Sequence, residues 1–449
     1  MWHLEEKETA LYLRDVSLKL GSGVVAFVMN FASGVIIART LGAEGNGLAA
    51  LLILIPTMVA SFASLGIDKA NGYLAGTKKW SVQVLLGNSL SLAATVSLFT
   101  GVAYWIAMPL TVNFLSVKGI SQLMLKLAFA IAPLALIEMY LQGILWGLNR
   151  IPQLSLVSIA RFSSQLALSV ILVVILKLGV KGAVTAAMVT PGLCIVLYLV
   201  FLRNEASVRF GYQMNALKDS LAFGIQVHLG SVLQFLNYRL DVFIVNYFLG
   251  VTSVGFYVVA ASLAELVWYL PDAFGFVLFP KTASSDPETA RRFTPRVARL
   301  SAFITTVAAV SLSLVSKVVI TVLYTEEFLP SLYPLWILLP GVAALSYSKV
   351  IFSDLGGRGK PYYGTCASLI SLVVTLGLDL LLIPHWGIVG AAMASSAAYM
   401  TNAVAAIVFY LRLTGNKLTD VLLIQKSDIE ASFSAGREMA LAISQALRT

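Results

Sequence analysis

Twelve long apolar stretches alternate with short polar connections along this chain, at residues 19–41, 48–66, 83–108, 121–145, 154–176, 182–202, 222–248, 254–279, 298–323, 332–353, 364–384 and 388–411. About 20 apolar residues, rising about 1.5 Å each, cross a hydrocarbon core of roughly 30 Å. Within lipid, only helices and closed barrels satisfy every backbone polar group, and these runs lack the strict alternation of barrel strands. The pattern therefore predicts an all-α polytopic membrane protein with no inserted soluble domain. Its parts are an interfacial segment at 1–18, a first lobe of helices 1–6 at 19–203 and a cytoplasmic linker at 204–221. A second lobe of helices 7–12 follows at 222–412, then a cytoplasmic tail at 413–449.

Composition agrees. Of the 449 residues, 58% are hydrophobic and 12% charged, with mean hydropathy +0.86, against about 25% charged in soluble domains. The acidic start, Glu5-Glu6-Lys7-Glu8, is the wrong sign for a secretory signal, so no cleaved peptide is expected. Cys194 and Cys366 fall in apolar runs and read as small buried hydrophobes. With the N-terminus placed in the cytoplasm, 22 of the 31 Lys and Arg residues fall on that side, 6 on the other and 3 within spans. This bias puts both termini inside. It also accounts for the formal charge of +9 without any nucleic-acid partner.

A repeat runs through the chain. Gly42 and Gly47 follow the first apolar run, and Gly250 and Gly255 follow the seventh, 208 residues later. The same offset relates Gly179 and Gly182 to Gly387 and Gly390, and Arg150 to Arg358. Six helices is an even number, so the two units enter the membrane in the same sense. They form parallel lobes around a central cavity. Gly42, Gly47, Gly250 and Gly255 are the expected turns, and Pro271 an expected hinge.

No catalytic or metal-ligating constellation is visible among the scattered histidines His3, His228 and His385. Gly356-Gly357-Arg358-Gly359-Lys360-Pro361 lacks the spacing and the Ser/Thr of a phosphate-binding loop. The informative residues are ionisable ones at membrane depth, each costing about 2.5–3.5 kcal/mol or more at a helix centre. Arg161, Arg239 and Lys349, with Arg39 near a helix end, are the cations that would meet an anionic substrate in the cavity. Guanidinium suits phosphate because it donates two parallel hydrogen bonds. Asp241, Glu138, Glu265 and Asp379 fit either of two roles, as resting partners of those cations or as sites for a coupling H⁺ or Na⁺. Arg239 and Asp241 point about 200° apart on one helix, so at least one needs a partner on another helix.

The stretch Arg39-Thr40-Leu41-Gly42-Ala43-Glu44-Gly45-Asn46-Gly47-Leu48 resembles the first-loop signature of the polysaccharide-transporter branch of the multidrug/oligosaccharidyl-lipid/polysaccharide (MOP) exporters. Arg239-Leu240-Asp241, Leu249-Gly250, Gly255-Phe256-Tyr257 and Phe279-Pro280 resemble the same branch around its seventh and eighth helices, and Gly387 to Ala392 its last helix. The resemblance implies a Wzx-type flippase of undecaprenyl-diphosphate-linked oligosaccharide in the bacterial inner membrane. It further implies alternating access driven by an ion gradient, with no other cofactor, and a polysaccharide polymerase and a chain-length regulator as pathway neighbours. Twelve helices argue against the lipid II branch, whose members typically carry fourteen.

Three other readings share parts of this pattern. A drug or metabolite antiporter of the multidrug and toxin extrusion kind would favour an acidic cavity. A glycan enzyme would need a sizeable outer loop or a carboxylate motif. A scaffold would tolerate neutralisation of Arg161 and Arg239.

Overall fold

The computed structural model describes residues 2–115 and 122–422, with side chains from residue 21 onward except at 108–123, 280, 284 and 287. The segment 116–121 and the tail from 423 lie outside the described residues, as do the side chains of the segment 1–18 expected at the interface. Among the described residues every element is helical.

Nine helical segments among the described residues are long and apolar enough to cross a membrane. Two of them, Gly21–Ala63 and Tyr362–Thr414, hold 43 and 53 residues, and each is broken by a glycine, Gly42 or Gly387. At about 1.5 Å per residue each is long enough for two crossings. Met214–Leu249 supplies the twelfth crossing. It is less apolar because Lys218, Asp219, Arg239 and Asp241 lie on it.

In chain order the crossings are 21–41, 43–63, Val82–Ala107, Met124–Gly147, Ile151–Ile175, Gly179–Leu202, Met214–Leu249, Val251–Ala283, Glu288–Tyr324, Glu326–Gly357, 362–386 and 388–414. A short helix, Ile67–Gly76, follows the second. A 3-10 turn at Leu266–Trp268 interrupts the eighth crossing just before Pro271, which has no N–H to continue the ladder. Outward faces are greasy: Phe99, Trp105, Val373 and Leu381 are exposed, and Leu314 is 80% exposed. Lipid is the solvent that makes such a surface stable.

The sequence repeat is a structural repeat. Gly42 has φ 67° and ψ −177°, and its mate Gly250 has φ 79° and ψ 177°. Gly179 and Gly387 match in φ, at 61° and 60°. Positive φ is where a Cβ would clash, so these four turns require glycine. In the first lobe the opening helix packs on the fifth and sixth; in the second, the seventh and tenth pack on the last pair.

The lobes join at both ends. At one end, the start of the second crossing lies against the start of the eighth, where Gly47 meets Val251 and Gly255 meets Ala43. Those contacts are each other's mates in the repeat. Asn46 Nδ2 adds a hydrogen bond to the Gly255 carbonyl at 3.3 Å. At the other end, the seventh crossing lies against the first lobe. Gly66 packs on Gly224, Phe223 stacks on Tyr73 with centroids 4.5 Å apart, and His228 Nε2 lies 2.9 Å from the Phe62 carbonyl oxygen.

Candidate functional site

Between the two junctions lies a cavity of about 370 Å³, walled by the first, second, fourth, fifth and sixth crossings on one side and the eighth and ninth on the other. Arg161 faces it from the fifth crossing. Its Nη1 donates to Glu138 Oε1 at 2.5 Å, and Glu138 is only 3% exposed. The carboxylate thus sits behind the wall and holds a cation whose other donors remain available to the cavity. Glu265 faces the same cavity from the opposite lobe. Arg239 grips it with two parallel bonds, Nη1 to Oε1 at 2.9 Å and Nη2 to Oε2 at 3.2 Å.

Each lobe therefore sets one Arg–Glu pair at the cavity, but with opposite polarity toward it. The first lobe presents the cation and the second the anion. Around them stand hydroxyl and amide groups (Asn30, Thr57, Gln165) and aromatic faces (Phe27, Phe162, Tyr269). Phe27 and Tyr269 touch across the lobes with centroids 4.0 Å apart. Hydroxyls, amides and rings are groups that complement a glycan, and a guanidinium complements a phosphate.

The four predicted cations are placed in different surroundings. Arg161 lines the central cavity, whereas Arg239 lies one layer behind it, with Glu265 interposed. Lys349 lies in the second lobe alone, donating to both carboxylate oxygens of Asp272 at 2.7 and 2.8 Å, over the Trp268 ring. Arg39 is at the seam of Gly47 and Gly255, donating to the Val322 carbonyl at 2.8 Å. That carbonyl belongs to the last turn of the ninth crossing, where a helix has unpaired acceptors.

The acids also separate. Glu138 and Glu265 are the partners of the two arginines, as above. Asp241 and Asp379 instead lie within electrostatic reach of one another inside the second lobe. Asp241 accepts the Tyr257 hydroxyl, the Ser395 hydroxyl at 3.0 Å and the Val242 amide at 2.8 Å. Asp379 is fully buried, and among the described residues neither of its carboxylate oxygens meets a hydrogen-bond donor. Asp379, a buried carboxylate without a donor and close to a second buried carboxylate, is stabilised by a proton or a cation. Arg239 and Asp241, on opposite faces of one helix, thus both find partners on other helices.

Sequence reasoning missed three contributors. Glu327 Oε1 accepts the Ala43 amide at 2.8 Å, at the start of the second crossing. Tyr257 and Ser395 carry no sequence signal that would join them to Asp241. The nearest hint is Tyr257 lying within the repeated turn motif.

A family model described as polysaccharide biosynthesis protein matches residues 36–333. The chain belongs to that family. An uncharacterized membrane protein of Methanocaldococcus jannaschii is 25% identical over 193 residues, which is 42% of this chain but only 38% of that protein. Among solved structures, lipid II flippase MurJ in an inward closed conformation superposes with TM-score 0.74 at 14% identity, covering 90% of this chain and 89% of its own. An inward-facing multidrug resistance MATE family transporter of the MOP superfamily gives 0.66 at 18%, covering 89% and 98%. A Vibrio cholerae MATE transporter gives 0.62 at 13%, covering 91% and 97%. At these identities the likeness concerns the fold, which is that of MOP-superfamily transporters.

Proposed function

We propose that this polysaccharide-biosynthesis family member is a flippase. It moves a polyprenyl-diphosphate-linked oligosaccharide across the bacterial cytoplasmic membrane by alternating access between its lobes. The observation carrying this reading is Arg161, a guanidinium on the wall of the interlobe cavity among amide, hydroxyl and aromatic groups. Arg161 contacts the diphosphate, and the polar and aromatic walls accommodate the sugars. The seam at Gly47, Gly255, Glu327 and Arg39 is the outer gate. Asp241 and Asp379 take the coupling cation, H⁺ or Na⁺. A polymerase and a chain-length regulator receive the product in the outer leaflet, and both termini lie in the cytoplasm. No bond is made or broken, so the protein acts as a carrier and not an enzyme.

Glu265 on the cavity wall favours a second reading, an antiporter of cationic compounds. Binding separates the two. Purified protein is titrated with a short polyprenyl-diphosphate oligosaccharide and, separately, with a lipophilic cationic dye, for wild type, Arg161→Gln and Glu265→Gln. The flippase reading expects glycolipid binding that Arg161→Gln weakens on the order of tenfold, the worth of about one charge-assisted hydrogen bond. Dye binding that Glu265→Gln abolishes, with no glycolipid binding, would establish the antiporter.

A further inference from the structure

The second lobe holds a cavity of its own, about 420 Å³ in volume and separate from the interlobe one. It reaches Gly356 and Pro361, at the cytoplasmic turn after the tenth crossing, and extends inward to Asn237, Ser371 and Tyr399. These three share helices with the acidic pair and its ligand. Asn237 is one turn to the cytoplasmic side of Asp241, Ser371 two turns to that side of Asp379, and Tyr399 one turn to that side of Ser395. The cavity therefore stops about one helical turn short of Asp241 and about two short of Asp379.

Its walls contain oxygens with nothing to bind. Asn237 is buried, and its Nδ2 donates to the carbonyls of Leu233 and Ser368, at 3.0 and 2.7 Å. Two carbonyl partners fix the amide orientation, leaving Oδ1 without a partner among the described residues. The Ser348 hydroxyl, 1% exposed, is also without one. Buried oxygens of this kind are met by water or by a cation. The cation already fixed in this cavity, Lys349, is neutralised by Asp272, whose side chain is 57% exposed.

We propose that this cavity is the cytoplasmic route of the coupling cation to and from the Asp241–Asp379 pair. Asn237 is its innermost relay, and Asp272 cancels the charge of Lys349 along the way. The cation and the lipid-linked anion then occupy different cavities, and the second lobe alone exchanges ions with the cytoplasm. This rests on the reading of Asp241 and Asp379 as the cation pair.

The test is uptake of radioactive Na⁺, and in parallel of protons by an internal pH dye, into proteoliposomes loaded from the cytoplasmic face. Asp272→Asn leaves Lys349 unneutralised in the route and should slow uptake on the order of tenfold or more, since a unit charge at several ångströms and an effective dielectric near 20 opposes entry by more than about 1.4 kcal/mol. Adding Lys349→Gln to Asp272→Asn should restore the wild-type rate, which a merely structural role for the pair would not do. Uptake by Asp272→Asn at the wild-type rate, or a double variant as slow as the single, overturns the route. Asp379→Asn is the separate control: if it takes up both ions like wild type, the acidic pair is not the site. Should Asp272→Asn fail to fold, Ser348→Cys with Cys366→Ser is treated from the cytoplasmic face with a trimethylammonium thiosulfonate, which places the same charge in the cavity. Unchanged uptake after labelling, or no labelling from that face, overturns the proposal equally.

Discussion

A Cβ placed on Gly47 would lie 2.0 Å from the carbonyl oxygen of Val251, and one placed on Gly255 would lie 1.9 Å from that of Ala43. The two contacts exchange under the internal repeat, so the pseudo-symmetry relating the lobes passes through the outer seam. Neither neighbour is a flexible side chain, so relief requires the helices to part. Gly47→Ala and Gly255→Ala should each destabilise the closed seam by roughly 1–3 kcal/mol, the range for overpacking. A cysteine placed in the cavity should then become accessible to an impermeant thiol reagent from outside, faster than in wild type.

Glu327 serves that same seam differently. Its carboxylate accepts from the first amide after the Gly42 turn, at the positive end of a helix. Glu327→Ala should open the seam by about 1 kcal/mol, the worth of a lost cap. Glu327→Gln keeps an acceptor and should fall between that variant and wild type in the same accessibility assay.

Arg161 has two tasks that a single substitution confounds. Removing it leaves Glu138 buried and uncompensated, which costs about 3–5 kcal/mol. Arg161→Ala should accordingly lower the melting temperature in detergent. Arg161→Gln with Glu138→Gln should recover most of the stability and still bind the anionic substrate about tenfold more weakly than wild type. Melting and binding measured on both variants separate folding from recognition.

The junction of the seventh crossing with the first lobe should be sensitive to acid. Asp219 lies ahead of the apolar part of the seventh crossing and accepts from Lys79 at 2.9 Å and Trp80 Nε1 at 2.8 Å, on the first lobe. Those hydrogen bonds hold its carboxyl below the usual range, that of Lys79 first and that of Trp80 second. A lowered native value means the contribution is complete above the unfolded pKa, about 3.9, and disappears as pH falls through the native one. Asp219→Asn should therefore melt lower than wild type near neutral pH, and the two should converge as acidification passes below the usual carboxylate range.

The architecture was legible in the chain because its rules are local. Twelve apolar stretches and glycines at a fixed offset need only the solvent and the period of a helix. The 208-residue offset even carried over to backbone angles at Gly42 and Gly250. Partners were less legible. Helical geometry showed that Arg239 and Asp241 face opposite ways, but not which helix each one meets. Membrane depth alone does not separate Arg161 from Lys349, whereas packing puts the first in the interlobe cavity and the second in the second lobe's own cavity. Glu327 gave no signal, because an acid in a short outer loop looks like any solvated charge until the facing helix start is known.

The most direct test of the account uses proteoliposomes holding purified protein and a labelled polyprenyl-diphosphate oligosaccharide, with an impermeant glycosidase outside. The account predicts protein-dependent exposure of label that an imposed H⁺ or Na⁺ gradient accelerates. The Arg161→Gln, Glu138→Gln double variant should slow exposure about tenfold at low substrate while remaining folded. Gradient-driven exposure in the folded double variant at the wild-type rate would contradict it.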